Sequence, residues 1–251
     1  MDLNGKTAFV TGGSGDIGAA IAQALAAAGA DVAVSYVGQR DGAMATAKAI
    51  EATGVRSLIV QLDQRDSNSI DACVDHVING LGRVDVLVNN AGWNIGIPFA
   101  ALDELTADIW NRVHETNLRG PYLLARAFAP HLRAHGAGRI VNIASVGGMV
   151  PASSSIAYSA SKAGLIHLTR CLAVALAPTV TVNCVAPGLV EGTRMARRMP
   201  AEVAEGARRQ AVLGRTASVD DIAGQVLTFC RADSVTGQVL VVDGGMPGGM
   251  H

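Results

Sequence analysis

Thr7-Ala8-Phe9-Val10-Thr11-Gly12-Gly13-Ser14-Gly15-Asp16-Ile17-Gly18 begins as a short apolar run and ends in a glycine-rich turn, and the alanine-rich stretch Ala19–Ala28 behind it is strongly helical. A strand that turns through glycines into a helix lets main-chain N–H groups approach an anion closely. The first turn of the helix offers donors with no internal partner, and its dipole favours negative charge. An ordinary tight strand-to-helix turn would use the same glycines. The position of the cluster, directly between strand and helix at the amino end of the chain, favours a cradle for a dinucleotide pyrophosphate.

Outward from that unit the same alternation continues. Strand-like runs are expected at Thr7–Thr11, Asp31–Tyr36, Arg56–Asp63, Val84–Asn89, Arg139–Ala144, Thr179–Val185 and Gln238–Val242, each separated by helical sequence. Seven strands alternating with helices imply a parallel sheet covered on both faces, and Val84–Val88 and Val239–Val242 show the unbroken apolar character such strands need. Gly29 and Gly54 punctuate two helix ends, and Ser218 with Asp221 reads as a capping box. The expectation is an α/β fold, a single doubly wound Rossmann-type domain over residues 1–251 with a seven-stranded parallel sheet. Residues 190–216, with Met195, Met199, Arg197, Arg198, Arg208 and Arg209, interrupt the pattern after a strand's carboxyl end and read as a substrate lid.

Composition narrows the function. The 251 residues are 49% hydrophobic, enough for a substantial core, and 20 Lys+Arg balance 21 Asp+Glu without clustering, so no nucleic-acid footprint appears. Cys73, Cys171, Cys184 and Cys230 have no metal-ligand or disulfide spacing, which points to no metal and to a reduced, cytoplasmic setting. No leader-like start and no membrane-length apolar run is seen, so no membrane partner is expected.

Three further stretches carry chemistry. Asn89-Asn90-Ala91-Gly92 closes the fourth strand, Ser145 follows the fifth, and Tyr158-Ser159-Ala160-Ser161-Lys162 opens the next helix. Tyr158 and Lys162, four apart on a helix, share a face. Two unit charges about 4 Å apart in an effective dielectric of ~20 interact by roughly 4 kcal/mol, so the ammonium would lower the phenol by about three pKa units. Alone, such a pair more commonly forms an exposed contact of little consequence. Ser145, thirteen residues upstream at a strand's end, favours the chemical reading.

Together with the glycine turn, these motifs closely resemble the classical short-chain dehydrogenase/reductase family across residues 5–245. The resemblance implies hydride transfer between a nicotinamide cofactor and a small-molecule carbonyl or secondary alcohol. Ser145 would hold the substrate oxygen, Tyr158 would act as general acid or base, Lys162 would tune the phenol and hold the ribose, and Asn117 would hold a proton-relay water. A helix-interior asparagine bonded to main chain is the alternative for Asn117. Cofactor contacts would come from Gly12, Ser14, Gly15, Asp16, Ile17, Gly18, Tyr36, Arg40, Asp63, Asn89, Ala91, Gly92, Tyr158, Lys162, Pro187, Gly188, Val190 and Thr193. Asp63 would meet adenine, or would merely cap the following turn. The resemblance also points to a homotetramer built through helices around Leu105–His135 and Ser153–Ala177, whose apolar residues exceed one sheet-facing stripe.

The chain departs from the family pattern at Asp16, which takes the place of the middle glycine, at Gly192, which displaces a threonine to Thr193, and in a short Phe229–Gly237 segment. An acid near a pyrophosphate must point away or cost affinity. Tyr36 stands where an acid would bind a ribose 2′-hydroxyl, and Arg40 follows, which tips the cofactor toward NADP(H) over NAD(H), although Arg40 also suits a solvated helix start. Trp93, Asn94, Gly147, Met149, Leu189, Glu191 and Met195 are the substrate-pocket candidates, with core packing equally open to Met149 and Leu189. They suit a cyclic or hydroxylated secondary alcohol or a 3-oxoacyl thioester. A nucleotide-binding regulator without turnover is the competing class, and the Asn117, Ser145, Tyr158, Lys162 set argues against it.

Overall fold

The apolar run at Thr7–Val10 forms β1, and both strands that pair with it lie parallel to it. In this computed structural model, which describes residues 1–151, 153–197 and 199–247, the other strands are β2 (Asp31–Tyr36), β3 (Ser57–Gln61), β4 (Val86–Asn89), β5 (Gly138–Ile143), β6 (Val180–Pro187) and β7 (Val239–Val242). They form one wholly parallel sheet in the order β3-β2-β1-β4-β5-β6-β7, the expected doubly wound α/β arrangement of seven strands. Among the described residues the α-helices are α1 (Asp16–Ala27), α2 (Arg40–Glu51), α3 (Ser67–Leu81), α4 (Ala107–His114), α5 (Gly120–Arg133), α6 (Ile156–Leu176), α7 (Arg194–Arg197), α8 (Ala201–Gln210) and α9 (Val219–Arg231).

Successive strand residues serve opposite layers. Ala8 and Val10 of β1, with Val86 and Val88 of β4, pack against Ile21 and Leu25 of α1 and Ile222 and Val226 of α9. Phe9 and Leu87 face the other way, toward Ile70 and Val77 of α3, Leu124 and Phe128 of α5 and Leu172 of α6. The Phe9 and Phe128 rings meet with centroids 5.2 Å apart. Each such side chain, fully buried, contributes about 1.5–3 kcal/mol by leaving water. The pattern explains why β1 and β4 lack polar alternation: neither face is solvated.

Several strand ends differ from expectation. β4 begins at Val86 rather than Val84, because the Asp85 carboxylate accepts the Thr7 N–H at 2.9 Å and pairs with Arg83, so the chain enters through side-chain contacts. β6 runs two residues past Val185 to Pro187, whose missing N–H costs nothing at the sheet's end, and Gly188 N–H then bonds Val242 O at 2.9 Å. β1, β3 and β7 are shorter than expected by one to three residues, and β5 is shifted back by one. Ser218 and Asp221 do form the capping box of α9, and Gly29 and Gly54 follow α1 and α2 with φ of 92° and 90°.

Residues 190–216 leave the sheet and return to it at a pinned neck. Val190 and Ala217 form an isolated parallel bridge, and Glu191 N–H donates to Ala217 O at 2.9 Å. The excursion carries α7 and α8, and α8 has no buried residue. Arg198, expected within this segment, lies outside the described residues. No helix among the described residues is long and apolar enough to cross a membrane.

Two glycines test this packing in opposite senses. A Cβ on Gly18 in α1 would stand 2.4 Å from Gly12 O and 2.6 Å from Asn90 Nδ2, whereas one on Gly224 in α9 would meet nothing within 4 Å. Gly18→Ala is expected to destabilise by about 1–3 kcal/mol through overpacking, and Gly224→Ala to stabilise by up to about 1 kcal/mol through helix propensity. Urea denaturation of the two variants beside wild type gives both signs.

Candidate active site

The strand order reverses between β1 and β4, and the loops leaving their carboxyl ends form the crevice where open α/β sheets bind ligands. Side chains from four elements hold the glycine turn there. Ser35 Oγ of β2 accepts the Gly12 N–H at 3.1 Å, and Thr46 Oγ1 of α2 donates to Gly13 O at 2.8 Å. Asn90 Nδ2 donates to Thr11 O at 2.9 Å and Gly12 O at 3.3 Å, while Thr11 Oγ1 accepts the N–H groups of Asn90 and Ala91. The turn itself needs glycine at position 12, where φ is 67° and an added Cβ would touch Ala91 at 3.0 Å. The first N–H groups of α1 therefore open into the crevice on a rigid mount, which suits a pyrophosphate.

Around that turn the expected residues take varied places. Tyr36 ends β2, and exposed Arg40 begins α2. The Asp63 carboxylate is bonded by Arg65 through Nε at 3.0 Å and Nη2 at 2.6 Å, and that guanidinium holds its pKa below the usual carboxylate value. It also accepts the Arg65 N–H at 3.0 Å, so it does cap its own turn. The Asn89 carboxamide is buried beneath the crevice, donating to Asn142 Oδ1 at 2.8 Å, and Asn142 in turn donates to Thr169 Oγ1 at 2.9 Å. Gly92 faces outward, with Lys162 Nζ 3.7 Å from where its Cβ would stand. Gly188 packs so tightly on Asp243 that a Cβ would lie 2.6 Å from it. Val190 is buried, and Thr193 spends its hydroxyl on Val190 O and the Ala196 N–H.

Ser145, Tyr158 and Lys162 come together where β5 ends and α6 begins. The Ser155 side chain caps α6 by accepting the Tyr158 N–H at 3.2 Å. Ser145 Oγ accepts the Gly147 N–H at 3.1 Å and caps a short 3₁₀ turn over Val146–Gly148. That turn rests on α6 so closely that a Cβ on Gly148 would sit 2.6 Å from the Lys162 carbonyl carbon. The close approach brings the serine to the tyrosine. The neighbouring Ser145 hydroxyl favours the ionised form of the phenol, but burial outweighs it and raises the Tyr158 pKa.

Lys162 corrects an expectation. Its ammonium donates to Ile143 O at 2.8 Å, with Nζ 5.7 Å from the Tyr158 ring centroid. Burial lowers its own pKa to about 8, partly opposed by the nearby Cys184 thiol. The anticipated lowering of the phenol by about three units is not seen: desolvation acts on both groups and raises the Tyr158 pKa instead.

Asn117 lies on a widened, i→i+5 helical turn spanning Glu115–Arg119, fully buried. Its Oδ1 accepts the Trp93 N–H at 2.8 Å, and its Nδ2 donates to Trp93 O at 2.9 Å and Ser161 Oγ at 3.1 Å. The side chain thus ties the loop after β4 to α6. Trp93 is covered by the Arg112 guanidinium at 4.2 Å, and Asn94 Nδ2 stands 3.8 Å from the Met195 sulfur, across the mouth of the crevice. Glu191, expected in the pocket, is instead committed to Arg208 at 2.7 Å and Thr216 at 2.8 Å, because these two groups flank the pinned neck. Met149 lines a cleft of about 760 Å³ along β7, with Leu213 and Leu240. Gly147 is buried and Leu189 half-buried.

Sequence reasoning passed over Ser35, Thr46 and Gly148, whose partners lie far away in the chain. It quoted Thr11 and Asn90 inside motifs without seeing that their side chains lock one motif to the other.

Comparison with known proteins gives the family. A family model described as short chain dehydrogenase matches residues 6–204. Cis-4-hydroxycyclohexanecarboxylate dehydrogenase of Sinomonas cyclohexanicum is 39% identical over 244 residues, 96% of each chain. A short chain dehydrogenase from Burkholderia cenocepacia J2315, solved in complex with NADP, is 38% identical with a TM-score of 0.90, covering 98% of this chain and 100% of that one. NAD+-bound xylitol dehydrogenase superposes with a TM-score of 0.91 at 28% identity, covering 98% and 100%. With its fold, its glycine turn and its full-length relatives in agreement, the chain belongs to the classical short-chain dehydrogenase/reductase family and is an NAD(P)-dependent oxidoreductase.

Proposed function

We propose that the protein interconverts a secondary alcohol and a carbonyl through Ser145, Tyr158 and Lys162, with NADP(H) preferred over NAD(H). The observation that carries this reading is the meeting of Ser145 and Tyr158 beside a buried ammonium at the carboxyl edge of the sheet. When bound, the nicotinamide supplies or accepts the hydride. In reduction, Ser145 Oγ holds the carbonyl oxygen and Tyr158 Oη gives it a proton; in oxidation the phenolate takes the hydroxyl proton. Burial raises the phenol's pKa above its ordinary value, so it rests protonated and is prepared as an acid, and oxidation gains rate as pH rises.

Lys162 Nζ has three donors and, among the described residues, one acceptor, Ile143 O, so two donors remain for ribose hydroxyls. Asn117 is a positioning residue, since its amide is committed to Trp93 and Ser161. Residues 190–216 act as the lid of the site, supported by the pinned neck and the contact of Met195 with Asn94. The remaining expected cofactor residues line the turn, the ends of β2 and β3, and the loops after β4 and β6. Trp93, Asn94 and Met195, mixed in polarity, suit a cyclic or hydroxylated alcohol, in keeping with the relative that acts on a hydroxycyclohexane acid. Tyr36 offers no carboxylate to a ribose 2′-hydroxyl and Arg40 follows it at the start of α2, which supports NADP(H). Assembly as a homotetramer through α4, α5 and α6 is supported by a groove of about 390 Å³ lined by His114, Leu118, Tyr122 and Leu168, and by Val174, 82% exposed on α6.

Tyr158→Phe should lower turnover by about 10²–10⁴ while the dissociation constant for NADPH stays near wild type. Turnover of wild type and variant on a panel of cyclic and open-chain ketones, with both cofactors, checks this; equal turnover would refute the acid role. Lys162 gives a stability prediction. Its folded pKa, about 8, lies below the unfolded value of 10.5, so burying its proton costs up to roughly 3 kcal/mol below pH 8, and the cost disappears as pH rises to about 10.5. Lys162→Met should therefore raise the urea midpoint of the nucleotide-free chain at pH 7, with the gain vanishing near pH 10.5. For assembly, light scattering at micromolar concentration should return four chain masses; a stable monomer would refute buried outer faces.

A further inference from the structure

Asp16 breaks the glycine pattern of the phosphate turn, and its carboxylate points away from the turn toward the lid. Oδ2 accepts the main-chain N–H of Arg194 at 2.7 Å and lies 3.6 Å from its Nε, while Oδ1 is 3.4 Å from Nη2 of Arg197. The far end of the Arg194 guanidinium reaches across the turn. Nη1 donates to Gln39 Oε1 at 2.5 Å, and Nη2 would lie 2.8 Å from a Cβ on Gly15. Gln39 immediately precedes α2 and Arg40, and β2 ends at Tyr36, so this guanidinium stands between the glycine turn and the ribose corner.

The groups facing it there are Asp16, Gln39 and the exposed Arg40, with the exposed Asp41 next along α2. The Asp16–Arg194 pair is open to water, with side chains 27% and 48% exposed, and such pairs contribute little to stability. A phosphate dianion, offering bidentate charge-assisted hydrogen bonds to the guanidinium fork, is the stronger partner.

We propose that Arg194 is a cofactor ligand delivered by the lid, binding the 2′-phosphate of NADP(H), and that Asp16 is the carboxylate that competes for it. The proposal rests on the reading of the crevice as an NADP(H) site. It gives the acid in the glycine turn a role: nucleotide binding exchanges Arg194 from Asp16 to the phosphate, which fastens the lid over the cofactor. Discrimination between the two cofactors then resides partly in the lid, as well as at the end of β2.

Isothermal titration of the full chain with NADPH, NADH and 2′,5′-ADP tests it on wild type, Arg194→Met and Asp16→Asn. Both side chains are partly exposed, and the titration stoichiometry reports the binding-competent fraction. Loss of a charged hydrogen bond should raise the NADPH and 2′,5′-ADP dissociation constants of Arg194→Met about tenfold and leave NADH within about twofold. Asp16→Asn, which removes the competitor, should tighten NADPH severalfold. Unchanged NADPH binding in Arg194→Met overturns the proposal. An equal loss for NADPH and NADH with 2′,5′-ADP unchanged places the guanidinium on the pyrophosphate and overturns the 2′-phosphate assignment. Weaker NADPH binding in Asp16→Asn overturns the competing role of the carboxylate. Tighter binding of NADH than NADPH by wild type refutes the cofactor preference itself, a result separate from the variant-to-wild-type ratio for any one nucleotide.

Discussion

The carboxamide of Asn90 joins the two halves of the ligand-binding edge. Its Nδ2 donates to the carbonyls of Thr11 and Gly12, while the Thr11 hydroxyl accepts the N–H groups of Asn90 and Ala91. These bonds cross from β1 to β4, neighbours in the sheet but separated in sequence by three helices and two strands. They hold the glycine turn against the loop that carries Trp93, and Asn117 then ties Trp93 to α6. These hydrogen bonds, joined through the short main-chain link Ala91-Gly92, thus run from the phosphate turn to the helix of the reactive tyrosine. It relies on parallel pairing, which places the carboxyl ends of β1, β4 and β5 side by side.

Within this frame the buried polar groups are arranged at a cost. The row Asn89, Asn142 and Thr169 satisfies most of its own hydrogen bonds beneath the crevice, yet Asn89 Oδ1 has no partner among the described residues. Lys162 is the more expensive group, an ammonium almost without solvent and held, among the described residues, by a single strand carbonyl. Burial opposes charge on both lysine and tyrosine, so their proximity on one helix face does not translate into a lowered phenol. A pair estimated from charge separation alone omits the desolvation that the fold imposes.

The lid follows a different rule. Its ends are fixed by main-chain bonds, at Val190 with Ala217 and at Val212 and Leu213 with Gly245 and Gly244, and by Glu191 with Arg208 and Thr216, whereas the stretch carrying α7 and α8 between them meets the glycine turn through solvent-exposed charges. A segment with a firm neck and weak outer contacts is suited to move as a unit, because the outer pairs exchange partners at little cost. Asp16, the residue most at odds with the family's turn, makes one of those outer contacts.

Much of this protein was legible in its sequence. Local chemistry carries the strand–turn–helix unit at Thr7–Ala27, the seven-strand alternation, the capping box at Ser218 and the spacing of Tyr158 and Lys162, because each depends on residues within a few positions of one another. Strand ends were less legible, since Asp85 and Pro187 end or extend pairing through partners elsewhere in the chain. Only the tertiary structure decided that Asn90 pins the glycine turn, that Gly148 seats Ser145 against α6, that the Lys162 ammonium goes to Ile143 and that Asp16 faces Arg194. The physical reason is common to all four: a hydrogen bond or close contact between residues distant in sequence depends on where the packed sheet places their backbones, and residue spacing carries no record of that placement.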